Sequence, residues 1–94
     1  MIDLSQFKIT PKEINGTIVE NVRTRRKEAH LTQEQLSRKS GVSLGSVKRF
    51  ERTGEISLTS LIKISVALGC QEDFLLLFAK KQYHSIQEII DEQS

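Results

Sequence analysis

The stretch TQEQLSRKSGVSLGSVKRFER, residues Thr32–Arg52, decides the fold of this chain. It contains two short helical patterns, which begin after Thr32 and Ser43, and both residues are of the type that caps a helix amino terminus. Gly41 lies between the two patterns, where a tight helix–helix turn needs a left-handed backbone that glycine adopts readily. We therefore predict two short helices joined by a tight turn.

The second helix of this pair has an apolar side and a basic side. Val47 and Phe50 lie three residues apart, so they share the side that faces the first helix of the pair. The opposite side, here called the outer face, carries Leu44, Gly45, Lys48, Arg49 and Arg52. An apolar inner side and a basic outer face suit a helix that lies in the major groove of DNA.

The residues before this pair predict a longer first helix. Thr10 can cap it, Pro11 suits its first position, and Glu13 completes a capping box. Apolar residues at four-residue spacing continue the pattern to about Ala29. Gly16 weakens a helix by about 1 kcal/mol relative to alanine, so a break near residues 15–16 is an open alternative.

Two further helices are predicted after the pair. Ser57 caps a fourth helix, in which leucine and isoleucine recur at helical spacing until Gly69 ends it. A short fifth helix runs from about Glu72 to Lys80 and contains a continuous apolar run. The fold class is therefore all-α with five helices.

The length of 94 residues indicates one domain with short arms. We assign residues 11–80 to the helical domain and residues 1–10 to an amino-terminal arm or short strand. Residues 81–94 form a carboxy-terminal tail, whose apolar spacing fits a strand or a helix.

Several classes of protein are excluded by composition. The single cysteine, Cys70, permits no internal disulfide and behaves as a small apolar side chain. His30 and His84 lie far apart with no ligand residues at metal-binding spacing, so we expect no metal and no cofactor. No nucleophile with a neighbouring base can be named, so we do not expect an enzyme. The amino terminus lacks a signal peptide and no apolar run reaches 18 residues, which predicts a cytoplasmic protein.

Charge is unevenly distributed along the chain, although the net charge is only +2. Nine basic residues oppose three acidic residues between positions 23 and 52, whereas five acidic residues oppose two lysines between positions 72 and 94. Such segregation suits a protein with one face toward phosphates and another face toward a different partner.

The segment LTQEQLSRKSGVSLGSVKRFE, residues 31–51, resembles the Xre/Cro helix-turn-helix family, which includes the lambdoid phage repressors. A capped, leucine-rich fourth helix that ends in Ala-Leu-Gly strengthens this resemblance, which covers about residues 18–78. It implies a compact five-helix lambda-repressor-like DNA-binding domain. Ser37 departs from the alanine that is usual at its position, but serine is small enough to fit.

The resemblance also implies which residues contact DNA. The expected contacts are Thr32, Gln33, Ser43, Leu44, Gly45, Ser46, Lys48, Arg49 and Arg52. Thr32 and Gln33 would contact phosphate, because a helix amino terminus favours an anion. Arg49 would read guanine O6 and N7, a contact worth about 1–3 kcal/mol of discrimination. Leu44 offers only apolar contact to a thymine methyl, so DNA shape and half-site spacing should contribute to specificity.

Glu51 points to the inner side of the recognition helix, where an unpaired carboxylate would be costly. The resemblance implies that Arg26, from the first helix, forms an ion pair with it. The alternative is a glutamate at the rim of the domain that remains in water.

The apolar run Phe74–Phe78 covers the whole circumference of a helix, so one small domain can bury only part of it. The run either completes the core or forms a homodimer interface, for which Leu76, Leu77 and Phe78 are the candidates. Helix-turn-helix proteins read two half-sites as two-fold dimers, which favours such an interface.

Three functions are compatible with these features. The first is a dimeric repressor that binds double-stranded DNA at a palindromic operator. The second is a HipB-type antitoxin that regulates its own operon and binds a HipA-like toxin kinase, which the charge division and the flanking segments at residues 1–9 and 83–94 favour. The third is a helical protein-interaction domain, which would show no salt-dependent binding to duplex DNA.

Overall fold

A computed structural model describes residues 8–81 and 90–91 of the chain. These residues form five helices and no strand: α1 (Pro11–Glu28), α2 (Gln33–Ser40), α3 (Leu44–Thr53), α4 (Leu58–Ala67) and α5 (Glu72–Leu75). The predicted all-α, five-helix fold class is confirmed. The arms predicted at residues 1–10 and 81–94, with their candidate short strands, lie largely outside the described residues. None of the described helices is long and apolar enough to cross a membrane.

Serine and threonine side chains cap the first four helices. In each case the Oγ atom accepts a hydrogen bond of 3.1 or 3.2 Å from the backbone N–H three residues later. The capping residues are Thr10, Thr32, Ser43 and Ser57. Each such cap contributes about 1 kcal/mol to helix stability, and all four helix starts agree with the sequence prediction.

The first helix is continuous through Gly16, so the alternative of a break at residues 15–16 is wrong. Its start is secured by the capping box, in which the Thr10 N–H donates to the Glu13 carboxylate while the Thr10 hydroxyl accepts from the Glu13 N–H. Pro11 adds a fixed backbone angle at the first helical position. These local contributions offset the cost of about 1 kcal/mol that glycine imposes on a helix.

The fifth helix is shorter than predicted, because it ends at Leu75 and not near Lys80. The chain continues in short turns, with the N–H of Leu77 bonded to the carbonyl of Phe74 at 3.2 Å. Phe78 has a left-handed backbone with φ of 59°, which a bulky side chain rarely adopts and which a helix cannot contain. The apolar run therefore does not wrap a helix, and most of it is exposed.

The core lies between α2, α3 and α4. Leu36 of α2, Val47 of α3 and Ile64 of α4 are completely buried and pack together with Val42 and Ala67. Burying one such aliphatic side chain contributes about 1.5–3 kcal/mol. The inner side of α3 is thus fixed against α2, while α1 packs on α3 from another side.

An apolar groove lies between α1, α4 and α5, away from the outer face of α3. Its walls include Ile18 and Val22 of α1, Leu61 of α4 and Phe74 of α5, and its volume is about 300 Å³. Arg25 and Asp73 are among the residues at its surface. The apolar groove and the basic outer face of α3 therefore lie on different parts of the domain.

Candidate nucleic-acid interface

The turn between α2 and α3 is closed by hydrogen bonds within a few residues. Gly41 has a left-handed backbone with φ of 76°, and its N–H donates to the carbonyl of Ser37 at 2.9 Å. The Ser37 hydroxyl donates to the carbonyl of Val42 at 2.6 Å. A short turn of this kind sets α3 at one angle to α2, which a helix that enters a DNA groove requires.

The predicted DNA contacts are distributed over the outer face of α3 and the amino terminus of α2. Exposed members of the set are Thr32, Ser43, Gly45, Lys48, Arg49 and Arg52, and half-buried members are Gln33, Leu44 and Ser46. None of these side chains belongs to the core. The three cations of this set therefore reach solvent on the side of α3 opposite Val47 and Phe50.

Ser43 and Ser46 form a pair at the start of α3. The Ser43 hydroxyl donates to Ser46 Oγ at 2.8 Å, and it accepts a hydrogen bond from the Ser46 N–H at 3.2 Å. The proton of the Ser46 hydroxyl is then available to donate to a phosphate oxygen. This arrangement brings a donor to the amino terminus of α3, where the helix dipole also favours an anion.

The structure brings Arg26 of α1 and Glu51 of α3 into a buried ion pair. Arg26 Nε lies 2.8 Å from Glu51 Oε2, and Arg26 Nη2 lies 2.9 Å from Oε1. Both residues are less than a tenth exposed, at 9% and 8%. The Arg26 Nη1 atom donates to the carbonyl of Leu31 at 2.9 Å, so the same guanidinium also contacts the loop before α2.

Gln33 and Arg23 complete the surroundings of Glu51. The Gln33 amide nitrogen donates to Glu51 Oε1 at 3.1 Å, and Arg23 Nε lies 3.8 Å from the same oxygen. Burial of Glu51 raises its pKa, but the hydrogen bonds from Arg26 and Gln33 and the charges of both arginines outweigh this, so the pKa lies below its ordinary value. The Glu51 carboxylate is therefore ionised at neutral pH and joins α1, α2 and α3.

The contact between Gln33 and Glu51 was not predicted from the sequence. Gln33 is the first residue of α2, and the sequence pattern indicates only that a helix amino terminus faces an anion. Glu51 is 18 residues away, so no local periodicity relates the two. The sequence contained one indication of such a contact. Helical spacing places Glu51 on the inner side of α3, where its carboxylate needs partners from other helices.

Arg49 is paired with Glu55, a residue of the loop after α3. The Arg49 Nη2 atom donates to Glu55 Oε2, and both side chains are 63% exposed. The Thr53 hydroxyl donates to the carbonyl of Arg49 at 2.7 Å and accepts from the N–H of Glu55 at 3.2 Å. Glu55 was not among the predicted site residues, because it follows the end of the helix and shares no helical face with Arg49.

The carboxy-terminal end of α3 is held by Asn15 of α1. The Asn15 amide nitrogen donates to the carbonyl of Gly54 at 3.2 Å, and Gly54 has a left-handed backbone with φ of 79°. A Cβ atom at Gly54 would lie 1.7 Å from Asn15 Oδ1. Glycine is required here both for the backbone angle and for the close approach of α1.

The candidate dimer residues lie on the surface. Leu76, Leu77 and Phe78 are exposed, and the side chain of Phe78 is 95% exposed. Leu75, which the prediction did not include, is exposed beside them. Exposed apolar side chains that follow one another in the chain are candidates for an interaction surface.

Comparison with known proteins relates the chain to one family. A family model described as helix-turn-helix matches residues 22–75, more than half of the chain, and this range contains all of α2 and α3. Neither the curated proteins nor the solved structures contain a significant match to the chain.

Proposed function

Since this chain belongs to the Xre/lambda-repressor-like helix-turn-helix family and carries its DNA-binding regulatory domain, we propose that it is a repressor that binds a palindromic operator as a dimer. The observation that carries this proposal is the division of α3. Val47 and Phe50 are buried on its inner side, whereas Lys48, Arg49 and Arg52 are exposed on its outer face. The helix can therefore enter a major groove without losing its packing.

Phosphate contacts on α3 would come from its amino terminus and from the cations along its outer face. Ser43 and Ser46 present hydroxyl groups at the start of α3, and Lys48 and Arg52 present cations along it. Each neutralised phosphate releases counterions, so the logarithm of the affinity should fall linearly with the logarithm of the salt concentration. These contacts position the helix but do not read sequence.

The hydrogen bond from Gln33 to Glu51 restricts which atoms of Gln33 can contact a phosphate. One of the two N–H groups of its amide donates to Glu51, which holds the side chain beside that carboxylate and leaves a single N–H for any other acceptor. The first N–H groups of an α-helix have no partner within the helix. We therefore assign the contact to the backbone N–H groups at the start of α2, beside Thr32.

Few side chains on the outer face can distinguish one DNA base from another. Arg49 is the polar group on the outer face with the geometry to bind guanine O6 and N7 together, while Leu44 can contact a thymine methyl. Gly45 has no side chain and lets the backbone approach the bases. With so few reading groups, the deformability of the operator and the distance between half-sites should contribute to specificity.

A two-fold dimer would supply the second reading helix. An apolar surface for this dimer is provided near the carboxy-terminal end of the domain by the exposed residues Leu76, Leu77 and Phe78. Two copies of α3 in successive major grooves lie about 34 Å apart. The operator should therefore be an inverted repeat with half-sites one helical turn apart.

Selection of binding sites from random duplexes tests these points in one measurement. We expect enrichment of an inverted repeat that contains a guanine in each half-site. Enrichment of asymmetric single sites would contradict the dimer, and absence of any enrichment would contradict sequence-specific binding. A parallel salt titration should show a steep fall in affinity.

The antitoxin function remains as a second candidate, because the exposed apolar residues from Leu75 to Phe78 can contact a different protein instead of a second copy. Both candidates use the same DNA-binding face. Purification from native cells separates them, since an antitoxin should be recovered with a kinase-like protein encoded by the adjacent reading frame. Recovery of the dimer without such a partner would contradict the antitoxin function and support the repressor.

A further inference from the structure

We propose that Glu55 is a specificity-determining residue, which orients the Arg49 guanidinium before DNA binds and so increases discrimination at the base that Arg49 reads. This inference rests on the proposed function, in which the outer face of α3 contacts the bases. It adds a loop residue beyond the recognition helix to the groups that determine the preferred operator.

A closed set of contacts joins Arg49 and Glu55. Thr53 is the last residue of α3, and its hydroxyl bonds both to the carbonyl of Arg49 and to the N–H of Glu55, at 2.7 and 3.2 Å. The backbone of Glu55 is thus tied to the turn of helix that carries Arg49. The ion pair between the two side chains then fixes the free end of the arginine.

The Arg49 guanidinium keeps free donors while it is bound to Glu55. It carries five N–H donors, and the bond from Nη2 to Glu55 leaves others to donate to guanine O6 and N7. A long side chain that is already held loses less conformational freedom on binding, which favours the complex in which its geometry is correct. Glu55 therefore assists the guanine complex and gives no such advantage at other bases.

Glu55 also affects DNA binding through its negative charge. The Glu55 carboxylate lies beside the DNA-binding face and is exposed, so it repels phosphates whatever the base sequence. It thereby lowers affinity for all DNA while its contact with Arg49 favours one base. The contact with Arg49 raises the ratio between operator and non-specific affinity, whereas the repulsion lowers both affinities alike. Exposed ion pairs contribute little to folding, so the consequence of this pair lies in binding.

The test compares Glu55→Gln with wild type in the full chain. Dissociation constants are measured for the selected operator and for the same duplex with a substitution at the base pair that Arg49→Ala no longer distinguishes. We expect the discrimination ratio of Glu55→Gln to fall by about two- to tenfold, the range given by the ordering cost of one flexible side chain. Its affinity for non-specific duplex should rise, and its unfolding temperature should not change.

Glu28→Gln is the matched control. Glu28 forms an exposed ion pair with Arg25 on α1, at 3.1 Å, so its substitution removes the same charge away from the outer face of α3. We expect its discrimination ratio to equal that of wild type. In the Arg49→Ala background, Glu55→Gln should no longer change the ratio, because the residue acts through Arg49.

The outcomes are distinct. An unchanged ratio in Glu55→Gln, an equal fall in Glu28→Gln, or a fall that persists without Arg49 would each overturn the role of Glu55 while wild type still binds its operator. Absence of salt-dependent DNA binding by wild type would instead overturn the proposed function, and with it this inference.

Discussion

Arg26 and Glu51 stand 25 residues apart in the chain and form a two-bonded ion pair that is almost fully buried, with distances of 2.8 and 2.9 Å. Gln33 donates to the same carboxylate, so the pair links the first three helices. The charge of Glu51 is thus compensated where water is largely excluded. The contribution of the Arg26–Glu51 pair to the free energy of unfolding can be compared with that of an exposed Arg–Glu pair.

Replacement of Glu51 by alanine should lower the free energy of unfolding by about 3–5 kcal/mol, because it leaves the buried Arg26 charge without its partner. Glu28→Ala, which breaks an exposed pair with Arg25, should cost less than about 1 kcal/mol. Urea unfolding followed by circular dichroism measures both. Operator binding should weaken with Glu51→Ala, whereas equal stability of the two variants would show that the buried pair does not support the fold.

Stability should depend on pH through Glu51. Its pKa in the folded state lies below the ordinary value of 4.5, so the folded state binds this proton less readily than the unfolded chain. The resulting stabilisation is complete above the ordinary pKa and is lost as pH falls from there through the folded pKa. The difference in unfolding free energy between wild type and Glu51→Gln should therefore shrink between neutral and acidic pH. A difference that is constant with pH would contradict this.

Arg49→Ala and Gln33→Ala should affect DNA binding in different ways. Loss of Arg49 should remove about 1–3 kcal/mol of preference at one or two base positions. Loss of the Gln33 side chain should weaken binding to all sequences similarly, since it removes a hydrogen bond that steadies Glu51 but no contact to a base. Anisotropy titrations on a panel of singly substituted operators measure both effects. A changed base preference in Gln33→Ala would show that this side chain contacts a base.

The two left-handed glycines in this region should differ in their tolerance of alanine. Gly41→Ala meets open space and should cost about 1–2 kcal/mol of backbone strain. Gly54→Ala has the same strain and also displaces Asn15, which should add about 1 kcal/mol for the lost hydrogen bond. The added cost should vanish in an Asn15→Ala background, as thermal unfolding of the four variants would show. Persistence of the difference would mean that another contact restricts Gly54.

The proposed dimer predicts a change in mass when its surface is made polar. Leu76→Ser combined with Phe78→Ser should give monomers at concentrations where wild type is dimeric, because both side chains are exposed in the single chain. Sedimentation velocity measures the mass. Val66→Ser is the control, since Val66 is an exposed aliphatic residue of α4 that does not line the apolar groove shared with Leu77. A double variant with wild-type mass would place the interface elsewhere.

Local chemistry explains which parts of the fold could be predicted from the sequence. The four hydroxyl caps act within three residues, so Thr32 and Ser43 mark the helix starts directly. The end of α5 depends on whether the side chains after Leu75 find a surface to cover, and a sequence pattern does not contain that information. Phe78 accordingly has a left-handed backbone at a position where the pattern predicts a helix.

The candidate site shows the same distinction. Helical periodicity alone predicts the outer face of α3, and it places Arg49 on that face without any knowledge of the structure. The contacts of Gln33 with Glu51 and of Arg49 with Glu55 join residues on different elements, so they depend on how the elements are packed. Residues that hold the candidate DNA-contacting side chains in place are therefore harder to find from sequence than those side chains themselves.

The two attachments of α1 to α3, at Glu51 and at Gly54, involve none of the side chains on the outer face. The contacts that orient α3 should therefore remain in place when side chains on its outer face are substituted. If the proposed function holds, substitutions at Leu44, Gly45 and Arg49 should change the preferred operator while the domain keeps its fold. The chain would then serve as a scaffold whose DNA specificity is changed at a few surface positions.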